Sequence, residues 1–261
     1  MTPRSLILLL ALTVVCPGAG SVVEEEFDQG IKALAAQDWD RAFASLENAL
    51  AADPDNIRYG SEYRQAVLLR ARTVHGKEGK VQDFDRPLRF FDELVSRNPS
   101  APFAYLNYGF AYVDKIPAAG AITQVILANT ALGCFTKSLK LKTAWIGLYS
   151  RGASYLFWPR IFGRAKLGVA DLEEALKLQK SGPKKPYHVR TWIALGDGYW
   201  KTDDPDRARS TWAEGSQEFP TNAALKERLA KQGDDLKTLI DDSFDPRKRV
   251  DTNLKELWTN P

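Results

Sequence analysis

From Phe27 to Asn56, and again from Val189 to Pro220, apolar residues return at steps of three and four over segments of helical length. In the first segment Ile31 and Leu34 lead into a short polar connection, after which Ala42, Leu46 and Ala49 resume the period. In the second, Trp192, Leu195 and Tyr199 are followed, beyond the turn at Asp203–Asp204, by Ala208 and Trp212. Such a period buries one face of an α-helix, so each segment predicts a pair of antiparallel helices. Pro54 and Pro220 stop the second helix of each pair. The two pairs share one register. From Gly30 to Pro54 and from Gly196 to Pro220 is 24 residues, and Ala42 to Pro54 and Ala208 to Pro220 are both 12.

The middle of the chain follows the same ruler less regularly. Phe91 precedes Pro99 by eight residues, as Trp212 precedes Pro220, and Tyr105, Tyr108, Gly109 and Tyr112 repeat the spacing of Trp192, Leu195, Gly196 and Tyr199. The second helix after that stretch, marked by Ala131 and Phe135, arrives about ten residues late. A weaker pair runs from Gly152 and Tyr155 to Leu172 and Ala175, lengthened by the loop "WPRIFGR". Segment 56–86 matches only in being helical.

Taken together, W-x2-L-G-x2-Y at Trp192–Tyr199, then Ala208, Trp212 and Pro220, resembles the tetratricopeptide repeat, a helix–turn–helix unit. The resemblance covers residues 24–231 and implies an all-α, right-handed solenoid of four to five helix pairs. "NAALKERLAKQGDDLKTLIDD" reads as one charged terminal helix, the polar cap of the stack, and residues 232–261 as cap and tail. In the tail, Leu254, Leu257 and Trp258 are spaced to dock as a short helix.

In that family the first helices line a concave face that binds peptides. By resemblance the inward residues here are Arg190, Ile193, Asp197, Trp200 and Lys201 in the best repeat, and Phe103, Leu106 and Phe110, with Val113 and Asp114, in the tyrosine-rich one. Ile146, Tyr149 and Phe157 follow in the weaker pair, and Phe27, Ile31 and Leu34 in the first. The nine residues expected to carry partner binding are Phe103, Leu106, Phe110, Tyr149, Arg190, Ile193, Asp197, Trp200 and Lys201. The Lys/Asn/Arg clamp of the members that grip acidic tails is missing. The expected groove is apolar and aromatic, open to an apolar peptide or lipid-like molecule, or else filled by the chain's own insertions or tail. The second reading is favoured because the insertions are themselves apolar.

The N-terminus changes the setting. Arg4, an apolar run from Leu6 to Val15 and small residues at Gly18–Ser21 have the layout of a secretory signal peptide over residues 1–20. Cys16 is preceded by Val15 and followed by Pro17, a departure from the lipoprotein pattern that disfavours a lipid anchor there. With the signal removed Cys134 is the sole cysteine, so no intramolecular disulfide forms and a periplasmic or secreted location is expected. Lys+Arg number 36 against 33 Asp+Glu, intermixed along the chain, which argues against a nucleic-acid partner.

Candidate chemistry is sparse. The two histidines, His75 and His188, have no second ligand at metal spacing and are expected at the surface. Cys134 lies among Leu132, Phe135 and Leu139, as a buried structural thiol would. The pairs Asp203–Asp204, Asp234–Asp235 and Asp241–Asp242 suit turns and helix ends. No charge occurs from Ile116 to Thr136; a buried helix with a capping turn at Asn129 accounts for this run better than a membrane span. The expectation is an exported, non-enzymatic scaffold without cofactor or metal that binds an envelope protein or peptide. The alternative is an accessory protein holding a small apolar ligand or lipid.

Overall fold

The structure, a computed structural model, describes residues 19–245 and 248–259. The expected signal peptide, apart from its last two residues, and Cys16 lie outside the described residues. Thirteen helices and no strands are found among the described residues. They are α1 (Ala19–Ala35), α2 (Trp39–Ala52), α3 (Ile57–His75), α4 (Asp85–Arg97), α5 (Pro102–Lys115) and α6 (Ala121–Leu141). The chain continues through α7 (Trp145–Leu156), α8 (Ala165–Lys180), α9 (Val189–Lys201) and α10 (Pro205–Glu218). It ends in α11 (Ala223–Ala230), α12 (Gly233–Ser243) and the single turn α13 (Glu256–Thr259).

Helix starts follow from local chemistry. Carboxylate or amide oxygens of Asp38, Asn56, Asp204 and Asn222 accept N–H groups left free in the first turns of α2, α3, α10 and α11. Pro102 and Pro205 open α5 and α10, where no N–H is needed.

Helices pair α1 with α2, α5 with α6, α7 with α8 and α9 with α10. In all four pairs a glycine on the first helix faces a large, fully buried residue on the second. A Cβ on Gly30 would lie 2.8 Å from Leu46 Cγ, on Gly109 2.7 Å from Phe135 Cδ1, on Gly152 2.8 Å from Leu172 Cγ, and on Gly196 2.7 Å from Trp212 Cε2. Leu46, Phe135, Leu172 and Trp212 are each 0% exposed. The repeated glycine is therefore a close-approach residue that sets the interhelical distance.

The α3–α4 region lacks this device. Tyr63, Phe90 and Phe91 stand between the two helices, with ring centroids 5.3 and 5.9 Å from Tyr63, and α3 packs chiefly on α2 and α5. That is the segment without a repeat signature in the sequence.

Gly109 and Phe135 are 26 positions apart, whereas Gly30 and Leu46 are 16 apart. The ten extra residues form a 3₁₀ turn at Ile116–Ala118 and additional turns of α6, 21 residues long against 14 in α2. Two expectations need correction here. Asn129 does not cap a turn; it lies inside a continuous α6 and its side-chain amide donates to the Val125 carbonyl at 3.0 Å. Nor is the run buried throughout, since Ile122, Val125 and Ile126 are 82, 50 and 59% exposed.

The terminal helix is also two helices rather than one. Lys231 and Gln232 are extended and Gly233 takes φ of 52°. The break folds α12 back so that Leu236 and Ile240 enter the core containing Trp212 and Leu225.

Candidate binding site on the concave face

The lane expected to receive a partner holds the chain's own C-terminus. Residues 248–259 run across the first helices, and their contacts are specific. The Arg249 guanidinium donates to the carbonyls of Asp114 (2.8 Å) and Glu78 (2.9 Å). The Arg64 guanidinium donates to the Thr252 carbonyl (3.0 Å), to Asn107 Oδ1 (3.1 Å) and to the Asp114 carboxylate (2.8 Å), which also accepts the Thr252 hydroxyl. Leu254 bonds through its N–H to Ser61 Oγ at 3.3 Å and packs with Leu106, Phe110 and Ile146. Glu256 pairs with Arg190, and Leu257 and Trp258 cover the same cluster.

Arg64 and Asp114 are almost wholly buried, at 1 and 4% side-chain exposure. Burial alone lowers the Arg64 pKa, and the Asp114 carboxylate opposes that shift. A buried ion pair is tolerated when further hydrogen bonds satisfy its remaining donors and acceptors. Here the tail supplies two of them.

The other end of the lane closes on a second buried pair. The Arg228 guanidinium grips both Asp197 oxygens at 2.6 Å and also donates to the Ala224 carbonyl and Ser243 Oγ. Burial pushes the Asp197 carboxyl above its ordinary range, although Arg228 works against this.

Between the two filled ends lies a cavity of about 510 Å³. Its walls come from α5, α6, α7, the two ends of α9, the 157–162 segment and the tail, and most are apolar. Four of the nine candidate residues, Phe110, Tyr149, Arg190 and Lys201, meet in this cavity. Phe103 and Leu106 lie in the cluster covered by Leu254 and Trp258. Ile193 and Trp200 pack against the core of α9–α12, and Asp197 is committed to Arg228. The surplus turns of α6 and the 157–162 loop, which lengthen the repeats, build much of the cavity wall.

Lys201 is half-buried, its ammonium donating to the Leu156 carbonyl and lying 4.8 Å from the Phe244 ring centroid. Burial lowers its pKa. Beside the cavity, Arg160 pairs with Asp203 and donates to the Trp200 carbonyl, anchoring the 157–164 segment to the end of α9.

His188 departs from the expected surface position. It is 7% exposed and packs against Trp145 and Tyr187, its Nδ1 accepting the Lys185 N–H at 3.2 Å. His75 is exposed and bound to Asp83. Cys134 is partly buried, its thiol pushed up to about 12 by desolvation. Among the described residues no cluster of three metal-ligating side chains is found, and no helix is long and apolar enough to cross a membrane.

Sequence reasoning did not single out Arg64, Asn107, Arg228, Arg249 or Thr252. The available signal was the presence of arginine and asparagine on helix faces otherwise filled by core residues, as with Arg64 between Tyr63 and Val67.

No family model matches the chain, and neither does any curated protein. Solved structures do. A thermophilic tetratricopeptide repeat protein of Thermus thermophilus is 20% identical, with a TM-score of 0.51 over 80% of this chain and 97% of that one. MamA is 14% identical, with a TM-score of 0.49 over 82% of this chain and 97% of its own. With the helix pairing above, the first likeness shows the fold to be a helical-repeat solenoid of tetratricopeptide type.

Proposed function

We propose that the protein is an exported, non-catalytic scaffold that binds another envelope protein. One observation carries the reading: an exposed apolar patch on the rim of the concave face that no segment of the described chain covers. Ile122, Val125 and Ile126 share one face of α6, and Ile161 and Phe162 are 88 and 60% exposed on the neighbouring loop. Val125 and Phe162 border the same cavity, and Arg164 bonds to Asn129 at 2.7 Å, so helix and loop form one surface. Exposed apolar patches of this kind mark protein contact sites. The tail holds the groove floor, and the partner therefore docks at the rim. The amino-terminal layout supports export, and the sparse catalytic chemistry supports a scaffold.

A photo-crosslinking residue placed at Ile126 in the native cell tests this. One discrete protein adduct is expected, abolished by Phe162→Glu and absent when the crosslinker sits at Leu69 on α3, which is also exposed. Identical adduct patterns from both positions would remove the basis for the proposal.

A further inference from the structure

The cavity behind that patch has a chemistry of its own. At about 510 Å³ it falls within the range of small-molecule sites. Its mouth is marked by Val125 and Phe162, which line it while remaining 50 and 60% exposed. Inside, Phe110, Ile146, Ala153 and Trp158 offer hydrocarbon and aromatic surface. Apolar cavities hold water poorly and take up apolar ligands instead.

The charges in the wall differ in one respect. Arg190 is neutralised by Glu256, and Lys248 by Asp242 at 3.3 Å, while the carboxylate of Asp251, also in the wall, accepts the Asn253 N–H at 3.0 Å. Lys201 has no carboxylate within ion-pair distance among the described residues; its ammonium is left with a carbonyl and a ring face. Asp241 and Asp197 act on it only from beyond that distance, so the half-buried ammonium keeps room for a direct anionic partner brought in by a ligand.

We infer that this cavity takes one acyl chain bearing an anionic head group, the chain lying among the apolar walls and the head group paired with the Lys201 ammonium. The site and the partner patch share Val125 and Phe162 at the mouth, but the site is built on the inner wall and the patch on Ile122, Ile126 and Ile161 outside it. Either can fail without the other. The head group's chemistry fits a free fatty acid or a membrane lipid, and the experiment separates these sources.

The full chain, stripped of lipid, is titrated calorimetrically with saturated fatty acids of increasing length. One ligand per chain is expected, with affinity rising about fourfold per added methylene until the cavity is full. Ala153→Phe and Ala128→Phe add bulk to the cavity wall and should weaken binding at least tenfold while leaving thermal melting unchanged or raised. Lys201→Gln should weaken the carboxylate about tenfold and leave the matching long-chain alcohol unaffected. A parallel arm incubates the protein with phosphatidylglycerol vesicles and identifies bound lipid by mass spectrometry. Recovered phospholipid with the same Ala153 and Lys201 dependence supports the site and assigns its source to the membrane. Absence of uptake in both arms, or uptake indifferent to Ala153→Phe and Lys201→Gln, would overturn the inference. So would crosslinking of a partner polypeptide from position 153 with no displacement by fatty acid.

Discussion

The indole of Trp212 occupies the space that a side chain on Gly196 would need, its Cε2 2.7 Å from the position of a Cβ there. Trp212 is fully buried and also donates to the Ile193 carbonyl at 3.4 Å, so it has little room to retreat. Gly196→Ala is expected to destabilise by about 1–3 kcal/mol through overpacking. Gly133, exposed within α6 with nothing within 4 Å of a methyl added there, serves as the contrast. Gly133→Ala should stabilise by about 0.5–1 kcal/mol. Denaturant midpoints of the two variants, moving in opposite directions, check the assignment.

Trp192 and Trp200 lie two turns apart on α9 but in different environments. Trp192 is 1% exposed at the centre of the α9–α10 interface, whereas Trp200 is only partly covered. Trp192→Ala should cost about 3–5 kcal/mol. Trp200→Ala should cost clearly less, and equal melting shifts would contradict the register.

The Asp197–Arg228 pair gives a sharper contrast. Asp197→Asn leaves a buried guanidinium without its counter-charge and is expected to cost about 3–5 kcal/mol. The double variant Asp197→Leu with Arg228→Met, which removes both charges, should recover most of that loss. A double variant no more stable than Asp197→Asn would show that the pair itself stabilises the fold.

His188 predicts a pH dependence. Burial, then the Lys185 charge, hold its imidazole below the ordinary 6.5. The unfolded chain therefore binds the proton more readily. The contribution is present above pH 6.5 and is lost progressively as pH falls towards the folded-state value, with a limiting slope of about 1.4 kcal/mol per pH unit for one proton. Urea midpoints between pH 7.5 and 5 measure it. In His188→Gln this component of the slope should disappear.

Local spacing made the helix pairs legible. Gly30, Gly196 and their prolines located α1–α2 and α9–α10, and the late arrival of Phe135 marked an insertion, although the turn expected at Asn129 proved to be continuous α6. What stayed hidden depends on contacts between residues far apart in the chain. Nothing near Thr252 announces that Arg64 and Asp114 will close over it, and nothing near Lys231 shows that Leu236 must fold back to reach the Trp212 core. Four candidate binding residues do line one cavity, but the tail that forms part of its wall could only be placed by the fold.

The closure by the tail has a consequence for the order in which the molecule assembles. A solenoid held by neighbouring contacts can zip up unit by unit as it is synthesised. Here Ser61 waits for Leu254 across 193 positions, and Arg64 for Thr252 across 188. Until those last residues emerge, Arg64 lacks the Thr252 carbonyl and the apolar floor of α5 and α7 lacks Leu254. Synthesis thus runs almost to completion before the amino-terminal half can finish packing.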